Sequence, residues 1–172
     1  MKSADELKNM LEPAKNCVIN AARLTQNVAQ SFDMGTLEKK DRSPVTMADY
    51  GAQAIICRGL VDTFGPTPII AEEDAGSLTQ SENKTLLEQI THHVSHVKPD
   101  IDAAQVGEAI NLGRTTEQAD AFWTLDPIDG TKGFLRRQQY AISLAYIENA
   151  QLRLSVVACP NLLLPDMENE SP

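Results

Sequence analysis

The run Trp123-Thr124-Leu125-Asp126-Pro127-Ile128-Asp129-Gly130-Thr131-Lys132-Gly133-Phe134 sets two carboxylates three residues apart at a change of chain character. Phe122 to Leu125 are aromatic, β-branched or apolar and read as a short buried strand, whereas Pro127 and Gly130 break up the residues after it. The expectation is a tight loop that presents Asp126 and Asp129, with Pro127 fixing φ and Asp129-Gly130 supplying turn chemistry. Carboxylates held that close repel one another unless a cation lies between them, and all-oxygen ligation suits Mg²⁺ or another hard divalent ion. The Ile128 carbonyl is a further oxygen ligand of the same kind. Gly130 and Thr131 come next, where a helix begins, so their N–H groups and the helix dipole suit a phosphate. The Thr131 hydroxyl would then lie beside both metal and phosphate. Standing alone, a D-P-x-D-G turn with Thr131 as helix cap accounts for the same residues.

Two earlier segments change that balance. In Ser43-Pro44-Val45-Thr46-Met47-Ala48-Asp49-Tyr50-Gly51-Ala52-Gln53, Asp49 opens a segment of helical periodicity, Ala52, Ile55, Ile56 and Phe64. Its plain role there is a first-turn acid that favours the helix dipole. Thr67-Pro68-Ile69-Ile70-Ala71-Glu72-Glu73-Asp74 is an apolar strand ending in three acids, either a solvated charged loop or a carboxylate delivered to a metal by a strand end.

In this order, the three segments resemble those of the lithium-sensitive, Mg²⁺-dependent phosphatases of the inositol monophosphatase superfamily. The longer pattern, S-P-V-T-x-A-D-Y-G-A-Q, then A-E-E-D, then W-T-L-D-P-I-D-G-T-K-G-F-L-R, is similar to the 3'(2'),5'-bisphosphate nucleotidase branch, and extends from near Leu7 to Cys159-Pro160-Asn161-Leu162. The resemblance implies hydrolysis of the 3'-phosphate of adenosine 3',5'-bisphosphate to give AMP, with 3'-phosphoadenosine 5'-phosphosulfate as a second substrate. It implies that Glu72, Asp126 and the Ile128 carbonyl bind one Mg²⁺, and that Asp126 and Asp129 share another. Thr131, hydrogen-bonded to Asp49, would orient and deprotonate the attacking water, with Glu73 and Asp74 as outer partners of bound waters. Such chemistry rests on a metal that lowers the pKa of water and on charge stabilisation, with no nucleophilic side chain.

The pattern also departs from the branch. The family carries a further metal-binding Asp in a W-D-x-A-A-G type motif downstream, with segments that contact the nucleoside, and Trp123 is the only Trp of these 172 residues. Family glycines are matched here by Arg137, by Ala150 in an Asn149-Ala150 turn, and by Ser155 and Ala158. Where φ is positive, such replacements cost roughly 1 kcal/mol each. Three functions therefore stay open: the bisphosphate nucleotidase, an inositol phosphate phosphatase, and a short inactive form lacking the last metal ligand and the nucleoside pocket.

Composition bounds the rest. The chain has 42% hydrophobic residues, enough for a real core, and a formal net charge of -9 that argues against a nucleic-acid-binding surface. Lys132, Arg136 and Arg137 lie near the phosphate in sequence, although solvated helix positions explain them equally. No secretory signal and no membrane-length apolar run is evident, so the expected setting is cytoplasmic, with a small nucleotide as partner and no membrane. Cys17, Cys57 and Cys159 read as reduced thiols. His92, His93 and His96 include an i,i+4 pair able to bind a metal, but Leu86, Leu87, Ile90, Val94 and Val97 explain the segment as an amphipathic helix.

The elements that must position these groups are set by periodicity. Leu7, Leu11, Ala14, Val18, Ala21, Leu24 and Val28 mark a long first helix, kinked or started late by Pro13. A polar connection over 33–42 forms two extended arms around Gly35. Helices over 48–64, 85–97 and 101–112 alternate with an Ile69-Ile70 strand, a loop covers 113–119, and strands over 141–147 and 152–158 form a meander. Residues 163–172 read as a disordered tail after a 1–162 metal-binding part. The fold class is α+β, the first part of a layered α/β/α/β/α sugar-phosphatase architecture, with paired helices on a largely antiparallel sheet. The family form is a monomer, and an exposed sheet edge here would invite association.

Overall fold

The computed structural model describes residues 1–31, 43–76, 78, 83–115 and 119–163, with backbone alone at 43–46. The connection expected over 33–42 and almost all of the expected tail, residues 164–172, lie outside the described residues. Among the described residues, five helices and four strands run in the order α1 (Ala4–Ser31), α2 (Ser43–Phe64), β1 (Ile69–Ala71), α3 (Lys84–Ser95), α4 (Ala103–Asn111), β2 (Ala121–Asp129), α5 (Thr131–Leu135), β3 (Ala141–Glu148) and β4 (Gln151–Ala158).

Helix α1 starts ahead of Pro13, not after it. Ser3 and Glu6 cap it reciprocally, Ser3 N–H donating to Glu6 Oε2 at 2.8 Å and Glu6 N–H to Ser3 Oγ at 3.2 Å. Pro13 has no N–H for the Asn9 carbonyl, yet the helix continues, because Met10, Ala14, Cys17, Val18, Ala21 and Leu24 are all buried on one face. Helix α2 begins five residues before the expected start, and Pro44 is tolerated there because the N–H groups of a first turn have no helical partner. It packs against α1, α3, α4 and β2, which is why its buried residues, Met47, Ala48, Ala52, Ile55, Ile56, Cys57 and Leu60 among them, surround the helix. Asp102 opens α4 with a capping box closed by Gln105.

The sheet order is β1-β2-β3-β4, with β1 and β2 parallel and the β2-β3-β4 meander antiparallel. This is the expected α+β arrangement of paired helices on a largely antiparallel sheet. The alternation along β3 buries Ile142, Leu144, Tyr146 and Glu148, on the sheet against which α1 and α2 pack. Trp123 in the centre of the core lies between Phe64 of α2 and Tyr146 of β3, with ring centroids 5.7 Å and 5.1 Å away. Strand β4 is an edge, and it exposes Leu152 and Val157.

Candidate active site

Strand β2 is longer than the sequence suggests. It runs through Pro127 to Asp129, so Asp126 and Asp129 belong to the end of a strand, not to a loop after it. The reason is the partner β3: Asp126 pairs with Ser143 and Asp129 with Ala141, and the register shift between them takes up Pro127, which has no ladder N–H to give. The Ile128 N–H donates to Asp126 Oδ1 at 3.2 Å, a local Asx-type turn that fixes the carboxylate. On the other side, Ile69, Ile70 and Ala71 of β1 pair with Trp123, Thr124 and Leu125. Glu72 follows directly on β1, and Asp126 is the residue of β2 after Leu125, so each comes next after the last pair of the parallel ladder.

Asp49 reaches the same end of the sheet from α2. It is not a first-turn acid: it is the seventh residue of the helix, in its second turn, and it is buried. Burial pushes its carboxyl up to about 8, and Glu73, Glu72 and Asp126 add to the shift in that order. Burial and, after it, Glu72 raise Glu73, opposed by a Tyr50 hydrogen bond. Burial and, after it, Asp129 raise Asp126, opposed by the Ile128 N–H. Every charged neighbour that shifts Asp49 is an acid. An all-oxygen, mutually repelling set of this kind fits a hard divalent cation, although among the described residues no three His, Cys, Asp or Glu side chains already stand together as a closed metal site.

The turn after β2 is built on two glycines. Gly130 adopts φ 97° and caps α5, and a Cβ at Gly133 would overlap the Gln139 carbonyl oxygen. Gly133 N–H and Phe134 N–H return to Gly130 O at 2.7 Å and 3.0 Å. Thr131 opens α5 and is exposed, and among the described residues no hydrogen bond joins it to Asp49. Lys132, Arg136 and Arg137 are likewise exposed.

The segment that carries Glu72 is fastened by residues to which the sequence assigned no role. Ala71 N–H donates to Gly113 O at 2.8 Å. Gln53 accepts from Glu73 N–H at 2.9 Å and donates to Glu73 O at 2.7 Å. Asp74 pairs with Arg114 at 3.1 Å, and its carbonyl accepts from Tyr50 Oη at 3.4 Å. Ala75 N–H reaches Asn111 Oδ1 at 3.3 Å. Gln53 does lie in the D-Y-G-A-Q stretch, but nothing local announces where its amide points.

The remaining candidates stay apart from this site. Cys17 and Cys57 are buried free thiols, pushed up by burial to about 11 and about 12, and Cys159 is free and exposed. His96 Nδ1 lies 2.9 Å from His92 O and the two rings stand edge to face at 4.6 Å, on the same helix as the buried Ile90 and Val94.

A fold of helices on this mixed sheet brings together acids of α2, of β2 and of the segment after β1. The chain belongs to the inositol monophosphatase family, whose model matches residues 6–169, a family that is generally metal-dependent. It is similar to a 3'(2'),5'-bisphosphate nucleotidase 1 of Candida albicans (strain WO-1), 35% identical over 177 residues that cover 96% of this chain and 48% of that protein. It is also similar to a 3',5'-bisphosphate nucleotidase 2 of Arabidopsis thaliana, 39% identical over 166 residues, 90% of this chain and 48% of that one. The crystal structure of CysQ from Bacteroides thetaiotaomicron, a bacterial member of the family, shares the fold at TM-score 0.53 and 22% identity, over 87% of this chain and 41% of that chain. The chain thus spans about half the length of the curated relatives it matches. Among the described residues, no helix is long and apolar enough to cross a membrane.

Proposed function

We propose that these residues carry the metal and phosphate centre of a Mg²⁺-dependent phosphomonoester hydrolase that removes the 3'-phosphate of adenosine 3',5'-bisphosphate, or of 3'-phosphoadenosine 5'-phosphosulfate. The observation that supports this most is the convergence of Asp49, Glu72, Glu73 and Asp126, each raising or sharing the negative field of the next. The names of the relatives favour the bisphosphate nucleotide over an inositol phosphate.

In this reading Glu72, Asp126, Asp129 and the Ile128 carbonyl hold the divalent ions. When bound, the ions lower the pKa of water and neutralise charge on the phosphate oxygens. The chain's own residues do the rest. The buried Asp49 carboxylate receives the proton of the attacking water, and Thr131 Oγ1 orients that water. The Gly130 and Thr131 end of the turn faces the substrate phosphate, while Glu73 and Asp74 hold outer waters. Residues 1–162 form this metal-binding part.

The test is release of inorganic phosphate from adenosine 3',5'-bisphosphate, with and without Mg²⁺, beside inositol 1,4-bisphosphate and an Asp126→Asn control. Mg²⁺-dependent release that favours the nucleotide and is lost in the control supports the reading. Preference for the inositol phosphate, or no release by a folded sample, overturns it for this chain.

A further inference from the structure

Gln53 is fully buried and uses its whole amide on backbone. Its Oε1 accepts from Glu73 N–H at 2.9 Å, while Nε2 donates to Glu73 O at 2.7 Å and to Ile110 O at 2.9 Å. One acceptor and two donors are thus satisfied, which also fixes which end of the amide is nitrogen. The side chain grips Glu73 as a neighbouring strand would, by both its N–H and its C=O, and ties that grip to the last turn of α4. Ile110 O also receives Gly113 N–H at 3.0 Å, so Gln53 sits at the point where α2, α4 and the end of β1 meet.

The space around it is closed. A Cβ at Gly113 would come within 2.9 Å of Gln53 Nε2 and 2.7 Å of the Ala71 Cβ. Gln53 lies one helical turn beyond Asp49 on α2, at the i+4 spacing that puts both on one face. A single side chain therefore links the helix that carries Asp49 to the backbone of the residue next to Glu72, whose own carboxylate is exposed.

We infer that Gln53 is a positioning residue for the metal-binding carboxylates, holding the Glu72-Glu73 backbone at a set distance from Asp49; the inference rests on the metal-site reading above. The chemistry needs such a device. Acids that repel one another separate unless their backbones are held, and a site held in advance does not lose affinity to ordering at the moment of binding.

The test uses Mn²⁺ as a paramagnetic hard cation, monitored by electron paramagnetic resonance in the absence of substrate. The variant Gln53→Met keeps the shape and removes all three hydrogen bonds. It is expected to bind Mn²⁺ at least tenfold more weakly than wild type and to speed exchange of the Glu73 amide hydrogen. Arg153→Ala is the structural control, since it removes an ion pair of 2.9 Å to Glu148, at the end of β3 opposite to Ala141, which pairs with Asp129. The control is expected to lose thermal stability and keep its Mn²⁺ affinity. Should Gln53→Met not fold, the smaller uncharged Gln53→Leu removes the same three hydrogen bonds, and the same tenfold comparison applies. Folded variants that bind Mn²⁺ as wild type does overturn the positioning role and leave the metal site standing. Wild type that binds no Mn²⁺ overturns the metal site and, with it, this role.

Discussion

Glu72 and Asp126 directly follow Ala71 and Leu125, the last pair of the parallel ladder between β1 and β2. Two chain segments more than fifty residues apart thereby bring their acids near enough to act on the buried Asp49. Parallel pairing is what makes this possible, because both chains run past the Ala71 and Leu125 pair in the same direction, while β2 alone continues in the sheet against β3.

Cation binding should release protons. With its carboxyl pushed up to about 8, Asp49 is mostly protonated at pH 7, and a cation among the acids favours the ionised form. Mg²⁺ titrated calorimetrically at pH 7, in buffers of different ionisation enthalpy, is expected to release up to about one proton from this group. Apparent affinity should rise from pH 6 and level off above pH 8. A buffer-independent heat would contradict the coupling.

The same group makes stability fall with pH. Its folded value of about 8 lies above the ordinary 3.8, so the folded chain binds the extra proton between those limits. Stability from this source is full below pH 3.8 and is lost as pH climbs through 8. Without added metal, Asp49→Asn should therefore exceed wild type at pH 8.5 by about 1 kcal/mol or more, roughly 2–4 °C in Tm, and the difference should close at pH 4. It should also abolish phosphate release. Thermal melts at the two pH values decide the stability claim.

Glu148 and Arg153 fasten the start of the chain to the β3–β4 hairpin. The carboxylate of Glu148, 7% exposed, meets Arg153 Nη1 at 2.9 Å and also accepts the Lys2 N–H at 2.9 Å, while Arg153 Nη2 donates to Lys2 O at 3.1 Å. Arg153→Ala leaves the buried Glu148 with only the more distant N-terminal ammonium, 3.9 Å away, as a cation and should cost about 2 kcal/mol. Glu148→Gln retains an acceptor for Lys2 and should cost about 1 kcal/mol. Urea unfolding of the two variants measures the order, and the reverse order would refute the argument.

Three positions matched by glycine in the family pattern or beside one carry strained backbone here. Arg137 has φ 54°, and the β3–β4 turn has φ 51° at Asn149 and 59° at Ala150. Asn tolerates this region and Ala does not, so Ala150→Gly should stabilise by about 1 kcal/mol, and Arg137→Gly by a similar amount. Ser155 and Ala158 lie in β4 and are not among the positive-φ residues, so glycine should bring no gain there. Denaturant midpoints of the four single variants separate the two groups.

Among the described residues β4 is an edge strand, and that edge should make the chain associate. Leu152 is 63% and Val157 59% exposed on that strand. Sedimentation velocity over a concentration series is expected to show reversible association, weakened in Val157→Lys, because a lysine on an edge strand opposes pairing. Identical concentration dependence in the two proteins would show that the edge is not used.

Much of the fold was legible because its signals are local. The seven-residue stripe of α1 names its buried face, and α3, α4 and the meander emerge from periodicity and turns within windows of ten to thirty residues. The closeness of Asp126 and Asp129 was legible in the same way, since the acids, Pro127 and Gly130 are contiguous. Where a boundary depended on a partner, the sequence misled. Pro127 signals a break, yet β3 carries β2 past it with a bulge, and Pro44 sits inside the first turn of α2, which moves Asp49 into a buried second turn. Side-chain targets were the least legible, because the amide of Gln53 is directed by where Glu73 and Ile110 come to lie. By itself, then, the sequence determined which acids lie close together along the chain and which segments form helix or strand, as these depend on near neighbours along the chain. Tertiary structure alone decided which acids meet, how deeply Asp49 is buried and what holds Glu72 in place, because those depend on packing between segments distant in sequence.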